Sequence, residues 1–251
     1  MPRTLRPRAH APDSWRRQVK SSHMLVVDNL CKQYSRNGQP RVLFEGLSLR
    51  LDPAERLAVL GRNGQGKSTF IKIIGGVLAQ TSGQVKWTAR SSWPLGFAGG
   101  FQGGLSGLDN IRFLARIYDR DIPTMIRTVE RFAELGDQLK MPVTHYSTGM
   151  RARLAFGLSL AIEFDCYLID EVISVGDALF QQKCETELFG VRAERGFVIA
   201  SHDMTFIRGK CQRALLIDSG RHWLMEDVNE AVDFYEDLCR NLEHEREANY
   251  A

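Results

Sequence analysis

One nine-residue stretch, GRNGQGKST at positions 61–69, constrains the fold of this chain more than any other. It lies between the apolar run LAVL and a helical pattern at 68–77, so a strand, a glycine-rich turn and a helix follow one another. The glycines let backbone N–H groups turn toward phosphate oxygens, and the positive end of the helix dipole lies at the same place. The pattern predicts a phosphate-binding loop in an α/β fold; an ordinary glycine turn is the alternative.

The residues of this loop have separate predicted roles. Lys67 would reach the β- and γ-phosphates of a nucleotide, and the Ser68 hydroxyl would bind Mg²⁺. The predicted nucleotide-binding residues of the loop are Gly61, Asn63, Gly64, Gly66, Lys67, Ser68 and Thr69.

An apolar strand that ends in two acids, CYLIDE at 166–171, is the second chemical signal. Ligands of open α/β sheets bind at the carboxyl ends of the strands, which predicts Asp170 and Glu171 beside the phosphate loop. We expect Asp170 to hold Mg²⁺ through water and Glu171 to orient or deprotonate an attacking water. An acid that caps the next helix is the alternative. With the phosphate loop, the pair predicts a hydrolase.

Strand and helix patterns alternate along the chain, which predicts a mostly parallel sheet. Strand patterns occur at 25–27, 42–51, 57–60, 85–87, 166–169, 197–200 and 214–217. A turn is predicted at 81–83, and a loop at 91–107, which is rich in glycine. Helical patterns at 108–139 and 151–162 predict a helical insertion, about 103–160, between two halves of one α/β domain. The last helical pattern covers 230–248.

The net charge of +3 is concentrated in the first 23 residues. That segment holds six of the 33 Lys and Arg residues but one of the 30 Asp and Glu residues, so the rest of the chain is close to neutral. It lacks the apolar core of a secretory signal. We predict that 1–23 is a disordered basic extension, or that Met24 is the true start. An arm that contacts anionic lipid headgroups is the alternative.

Cysteine content and hydropathy limit the classes of protein to which this chain can belong. The five cysteines are odd in number and form no C-x-x-C pair, which indicates reduced thiols rather than a disulfide framework or a zinc site. No apolar run reaches about 18 residues, so no bilayer span is predicted, and any span must come from a partner.

From residue 24 to the C-terminus, the chain resembles the ATP-binding subunit of an ABC transporter. The phosphate loop and the acidic strand carry this resemblance, together with YSTGM at 146–150, which stands where the family has a turn of the type L-S-G-G-Q. The resemblance implies an ATPase domain at 24–251 that uses ATP and Mg²⁺, with an antiparallel β edge and a helical subdomain. It also implies a head-to-tail dimer, in which Ser147 and Gly149 of one copy bind the γ-phosphate of ATP held by the other.

Four further residues take expected roles from the resemblance. Gln102 matches the glutamine that senses Mg²⁺ and the attacking water, and His202 matches the histidine that contacts the γ-phosphate. Asp177 matches the acid that crosses the dimer interface, and Tyr34 would stack on adenine. The expected catalytic residues are Lys67, Gln102, Glu171 and His202, and the expected Mg²⁺ ligands are Ser68, Gln102 and Asp170.

Simpler interpretations of three of these residues stay open: Gln102 as a polar loop residue, His202 as a capping residue and Tyr34 as a core or edge tyrosine. Ser201, His202 and Asp203 do not form a catalytic triad, because three successive side chains cannot converge on one point.

The turn YSTGM departs from the family pattern at Tyr146, Thr148 and Met150. Thr148 stands where glycine is usual, so we expect a loss of backbone freedom, and Met150 removes an amide. We expect Arg151 and Arg153, which follow, to be ordinary solvated helix residues rather than anion contacts.

Three segments resemble a narrower group, the ATPases of capsular polysaccharide export: SSWPLGFAGGFQGGLSGLDNIRF, YSTGMRARLAF and VISVGDALFQQKC. The implied function is ATP hydrolysis coupled to export of lipid-linked capsular polysaccharide, at the cytoplasmic face of the bacterial inner membrane. The implied partners are a second copy, integral permease subunits and further envelope export proteins. Export of O-antigen or teichoic acid is an alternative. A soluble ABC ATPase acting on ribosomes or DNA is a weaker one, since the near-neutral domain does not favour nucleic acid.

Overall fold

The computed structural model describes residues 23–36, 39–95, 101–171 and 177–250. Its strands are β1 (Leu25–Arg36), β2 (Gln39–Leu51), β3 (Arg56–Leu60), β4 (Ser82–Trp87), β5 (Ser91–Leu95), β6 (Cys166–Asp170), β7 (Gly196–Ala200), β8 (Arg213–Asp218) and β9 (Arg221–Met225). Its α-helices are α1 (Lys67–Ile74), α2 (Gly107–Ile117), α3 (Ile122–Ala133), α4 (Thr148–Ile162), α5 (Ala178–Glu185), α6 (Met204–Lys210) and α7 (Val228–Tyr250). The extension predicted at 1–23 lies outside the described residues, except for His23.

Two sheets form the framework of the fold. Strands β5, β6, β7, β3 and β8 are parallel and lie in that order, and β9 pairs antiparallel with β8. The smaller sheet is antiparallel, in the order β2-β1-β4. The prediction of an α/β fold with a mostly parallel sheet and an antiparallel β edge is confirmed. Because β6, β7 and β3 are neighbours, the residues that follow them meet at one edge of the larger sheet.

The larger sheet is buried on both faces, as parallel sheets usually are. Along β6, Cys166 and Leu168 belong to a core shared with α1 and the smaller sheet. Tyr167 and Ile169 belong to a second core, shared with α2, α3 and α4. The continuous apolar run of this strand therefore supplies side chains to both cores.

The helical pattern predicted at 108–139 is divided into several elements. Asp121 caps α3 by accepting the Thr124 N–H at 2.9 Å, and α3 ends at Ala133 because the next residue, Glu134, has a φ of 53°. A 3₁₀ turn at Gly136–Lys140 follows. Caps and left-handed residues interrupt the backbone where the apolar periodicity alone suggests one element. The domain boundaries at about 103 and 160 stay a prediction.

Other element boundaries also differ from those predicted. The predicted loop at 91–107 begins with β5, which contains Pro94; a proline is tolerated there because β5 is an edge strand. The predicted helix at 68–77 ends at Ile74, because Gly75 and Gly76 follow. The turn predicted at 81–83 is instead the start of β4 from Ser82 onward.

The smaller sheet extends further than predicted. β1 continues to Arg36 and β2 begins at Gln39, whereas only 25–27 and 42–51 have clear strand patterns. The pairing register shifts three times between Val27 and Gln33, and Asn29 has a φ of 47°. These irregularities hide the period-two alternation that would have marked the strand.

All five cysteines are free thiols. Burial raises the pKa of Cys184 and of Cys211 to about 12, which keeps both thiols protonated and unreactive at neutral pH. Within the described part of the chain, none of the helices combines the length and the apolar character that a membrane crossing requires.

Candidate functional site

The loop between β3 and α1 has the backbone shape of a phosphate cradle. Gly61, Gly64 and Gly66 have φ values of 148°, 75° and 117°, which glycine adopts readily. At Gly61 a Cβ atom would lie 2.3 Å from the backbone oxygen of Ile217, so the loop and β8 touch where a side chain would not fit. Helix α1 starts directly after Gly66, so its positive end and free N–H groups lie at this loop.

Lys67 is held inside this loop. Its side chain is 5% exposed, and Nζ donates to the Gly61 carbonyl at 2.6 Å and lies 3.9 Å from Glu171 Oε1. Burial lowers the pKa of Lys67, against the opposing effect of the Glu171 and Asp170 carboxylates. Nζ also donates to the Arg62 carbonyl at 3.4 Å, and an anion entering the loop would offset the cost of burying this charge.

The carboxyl end of β6 completes the arrangement. Ser68 Oγ donates to Asp170 Oδ1 at 2.7 Å, and Glu171 Oε1 lies 2.9 Å from His202 Nε2. Glu171 has a φ of 59°, and its N–H donates to the Ala200 carbonyl at 3.0 Å. The helix that follows among the described residues, α5, is capped by Asp177, so neither Asp170 nor Glu171 caps a described helix.

The oxygen atoms of Ser68 and Asp170 suit Mg²⁺, which prefers hard oxygen ligands and keeps several waters. Within the described residues, no group of three or more His, Cys, Asp or Glu side chains could form a metal cage. Two protein oxygens are too few to hold an ion by themselves. They are compatible with Mg²⁺ that is bound together with nucleotide phosphates.

A cavity of about 620 Å³ opens over the loop. Tyr34 lies on its wall and is 42% exposed, with Lys32 Nζ 4.7 Å from the centroid of the ring. The cavity joins an aromatic platform at one end to the phosphate loop and a carboxylate at the other. Its lining residues are Tyr34, Arg41, Leu43, Arg62, Asn63, Gly64, Gly66, Lys67, Ser68, Thr69 and Glu171.

Seven of the predicted residues are not among the described residues that line this cavity. Gly61, Asp170 and His202 contact residues that do line it, namely Lys67, Ser68 and Glu171. The other four are Gln102, Ser147, Gly149 and Asp177. The backbone of Gln102 is fixed by Asn110, whose Oδ1 accepts its N–H at 2.8 Å and whose Nδ2 donates to its carbonyl at 3.0 Å. Ser147 caps α4 by accepting the Met150 N–H at 3.2 Å. The signature turn, YSTGM at 146–150, therefore contributes neither Ser147 nor Gly149 to the cavity over the phosphate loop of its own chain.

The departures in the signature turn fit the local structure. Thr148 is the first residue of α4, and neither Thr148 nor Gly149 has a positive φ, so the start of the helix requires no backbone conformation that threonine adopts poorly. Tyr146 is buried, and its hydroxyl donates to the Gln138 carbonyl at 2.7 Å. The turn is therefore anchored to the preceding segment by a tyrosine.

The expectation that Arg153 is an ordinary solvated helix residue is wrong. Its side chain is 20% exposed, Nη2 donates to Asp177 Oδ2 at 2.9 Å, and the guanidinium lies 4.5 Å from the centroid of the Phe180 ring. Nη1 lies 3.5 Å from Glu134 Oε2, and the other oxygen of this carboxylate, Oε1, pairs with Lys183. The hydrogen bond from the Phe180 N–H, supported by Arg153, lowers the pKa of Asp177. Arg153 therefore joins α4 to the ends of α3 and α5.

Sequence analysis missed three residues that shape the site. Arg41 lies on the cavity wall, Arg62 is paired with Asp218 (Nε to Oδ1, 2.7 Å), and Asn110 holds Gln102. One signal was available for Arg41: Asn37-Gly38 is a typical hairpin turn sequence, and a hairpin there would place Arg41 near Tyr34. No comparable local signal exists for the other two, because their partners are set by packing.

Residues 44–174 match the family model described as ABC transporter. The capsule polysaccharide export ATP-binding protein CtrD of Neisseria meningitidis serogroup B is 45% identical over 86% of this chain and 100% of its own length. The ATP-binding protein BexA of Haemophilus influenzae is 45% identical over 84% of this chain and 98% of its own. Relatives named for teichoic acid or O-antigen export are 29% to 36% identical.

A solved dimer of the ATP-binding cassette MJ0796, in a post-hydrolysis state with ADP and Pi, has a TM-score of 0.69 to this chain. It is 19% identical and covers 82% of this chain and 99% of its own, so the likeness concerns the fold.

Proposed function

Because the chain is an ATPase of the ABC transporter family, we propose that it drives export of lipid-linked capsular polysaccharide across the bacterial inner membrane. The observation that carries this proposal is the 45% identity to CtrD over 86% of the chain, which extends beyond the nucleotide motifs. Relatives named for teichoic acid or O-antigen export are less similar to this chain, so we favour a capsular polysaccharide as the substrate.

The phosphate loop would bind ATP through its N–H groups and Lys67. The Lys67 ammonium, freed from the Gly61 carbonyl, would contact the β- and γ-phosphates. Tyr34 would stack on the adenine at the other end of the cavity. Asn63, Gly64, Gly66 and Thr69, which line the same cavity, would complete the contacts.

Mg²⁺ would be held by Ser68 and, through water, by Asp170 and Gln102; when bound, it supplies positive charge against the phosphate oxygens. The hydrogen bond between Ser68 and Asp170 keeps these two oxygens 2.7 Å apart on the same side of the cavity. Gln102 is exposed and does not line the cavity, so its participation would require its side chain to come closer to Ser68 and Asp170.

Glu171 and His202 would act on the attacking water and the γ-phosphate. Glu171 Oε1 lies 2.9 Å from His202 Nε2, so the imidazole can orient the carboxylate. The carboxylate would then accept a hydrogen bond from the water, and His202 would contact the γ-phosphate.

A second copy would complete each site. Ser147 and Gly149 lie outside their own chain's cavity, so a γ-phosphate contact from them requires the partner's nucleotide. Asp177 would cross the same interface. Binding of ATP would close the dimer and its hydrolysis would open it, which moves attached permease subunits. The chain would lie at the cytoplasmic face of the inner membrane, bound through the permease and joined there by further envelope export proteins.

Affinity purification tests this proposal. The tagged chain is recovered from gently solubilised membranes, and mass spectrometry identifies co-purified integral proteins and glycolipid. We expect a permease and an acidic capsular glycan; an O-antigen or teichoic acid glycan would change the substrate. A complex with ribosomes or DNA and no integral membrane protein would refute the transport function.

A pair of variants sharpens that experiment. We propose that the permease docks on the helical insertion predicted at about 103–160. Ile117, on α2 of this insertion, is 57% exposed. Ile117→Asp should reduce permease recovery. Val191→Asp, at a position 69% exposed in a different segment, is the matched control and should leave recovery unchanged.

A further inference from the structure

Arg41 lies directly opposite Tyr34 in the antiparallel pair of β1 and β2. Side chains of directly opposed residues project from the same face of a sheet and are neighbours. The Arg41 side chain therefore starts beside the aromatic ring at one end of the cavity.

The other end of the Arg41 side chain reaches the phosphate loop. Its Nη2 donates to the Gly64 carbonyl at 2.9 Å, and Arg41 lines the same cavity as Lys67 and Ser68. A single side chain thus connects the ring of Tyr34 to the loop that would hold the phosphates.

The charge of Arg41 is not neutralised by a carboxylate within the described part of the chain, where its bond to Gly64 is the contact observed. Arg62, the other arginine on the cavity wall, differs: its Nε and Nη2 lie 2.7 and 3.1 Å from the two oxygens of Asp218. A guanidinium has five N–H donors, so Arg41 keeps donors available for an anion.

Lys32 restricts the direction from which a base can approach. Its Nζ lies 4.7 Å from the centroid of the Tyr34 ring and also donates to the Ala79 carbonyl at 2.9 Å. One face of the ring is therefore covered, and a base would stack on the other face. A phosphate chain that extended from such a base to Lys67 would cross the cavity whose wall includes Arg41.

We propose that Arg41 is a nucleotide-binding residue whose guanidinium contacts the phosphates that ATP and ADP share. This inference rests on the proposed function, since it takes ATP as the ligand of the cavity. Arginine forms charge-assisted hydrogen bonds to phosphate with two N–H groups at once, and one donor can stay on Gly64.

Isothermal titration calorimetry on the full chain tests this role with ATP and ADP. We expect Arg41→Gln to weaken both by a similar factor of roughly tenfold, because the lost contact is charge-assisted and common to both nucleotides. Arg41→Lys should recover part of the affinity, since it keeps the charge but loses the planar fork. Arg50→Gln is the matched control: it lies on the same strand, is exposed, and lines a different cavity.

Several outcomes would overturn the proposal. Affinities of Arg41→Gln within twofold of the unmodified chain would remove Arg41 from the binding site. A loss confined to ATP would contradict contact with the shared phosphates. A loss of similar size in Arg50→Gln would mean a general charge effect. The proposed function fails separately, if the unmodified chain binds neither nucleotide or if Lys67→Ala leaves both affinities unchanged.

Discussion

Gly61 is a residue at which the backbone leaves no room for a side chain. Its φ is 148°, and an added Cβ would lie 2.3 Å from the Ile217 carbonyl oxygen, a backbone atom that cannot rotate away. Gly61→Ala should push the phosphate loop away from β8. We expect the free energy of unfolding to fall by roughly 1–3 kcal/mol. We also expect ATP affinity to fall, because Lys67 is hydrogen-bonded to the Gly61 carbonyl.

A second glycine provides the control for this prediction. Gly104 has open space around the position of a Cβ atom and no positive φ, so Gly104→Ala should be close to neutral. Urea unfolding of both variants measures the difference. Equal stability of the two would mean that the loop relaxes without cost.

At the scale of helices, Arg153 connects three elements. It contacts the cap of α5 through Asp177 and the end of α3 through Glu134, and packs on Phe180. Arg153→Gln should lower the melting temperature by about 2–4 °C at pH 7, as an order-of-magnitude expectation for losing a partly buried pair. Arg151→Gln, on the same helix, has no described side-chain contact and should change it little.

The two carboxylates that Arg153 contacts, Asp177 and Glu134, predict that its contribution to stability depends on pH. Hydrogen bonds lower the pKa of Asp177, chiefly from the Phe180 N–H, and of Glu134, chiefly from Lys183. Their ionised forms therefore stabilise the fold above the ordinary values of 3.8 and 4.5, and this stabilisation is lost as the pH falls through the depressed values. The difference in melting temperature between Arg153→Gln and the unmodified chain should shrink below about pH 4. A constant difference down to about pH 3 would attribute the effect to packing on Phe180.

At the scale of the whole molecule, the residues proposed to bind nucleotide lie in two separate places on one chain. The phosphate loop and Glu171 line one cavity, whereas Ser147 and Gly149 lie elsewhere. Glu171→Gln should keep ATP binding but slow hydrolysis by at least about a hundredfold, since the carboxylate that would activate water is lost. The ATP-bound variant should then elute as a dimer in size-exclusion chromatography.

Glu163→Gln is the control for the dimer experiment. Glu163 is also at a positive φ, 60°, and is exposed at the end of α4, outside the cavity. It should hydrolyse ATP at the unmodified rate and show no stable dimer. Undiminished turnover in Glu171→Gln would count against the assigned role of Glu171.

The phosphate loop and the acidic strand can be identified from the amino-acid sequence because their chemistry is local. Glycine spacing between an apolar strand and a helix, or two acids at the end of a strand, involves consecutive residues whose backbone preferences do not depend on distant contacts. The alternation of strands and helices is local in the same way, and it indicates the parallel sheet. YSTGM was located by family resemblance. The start of α4 within it is a local feature, because Ser147 caps the helix.

Other features depend on residues that only folding brings together. Ser68 and Asp170 are separated by 102 positions, Arg62 and Asp218 by 156, and Arg153 and Asp177 by 24. Whether an arginine is solvated or paired depends on which elements pack against it, and no periodicity within one helix contains that information. Local backbone chemistry thus specified the phosphate loop and most of the strands and helices, whereas packing between them decided which side chains share the cavity and which charges remain free in it.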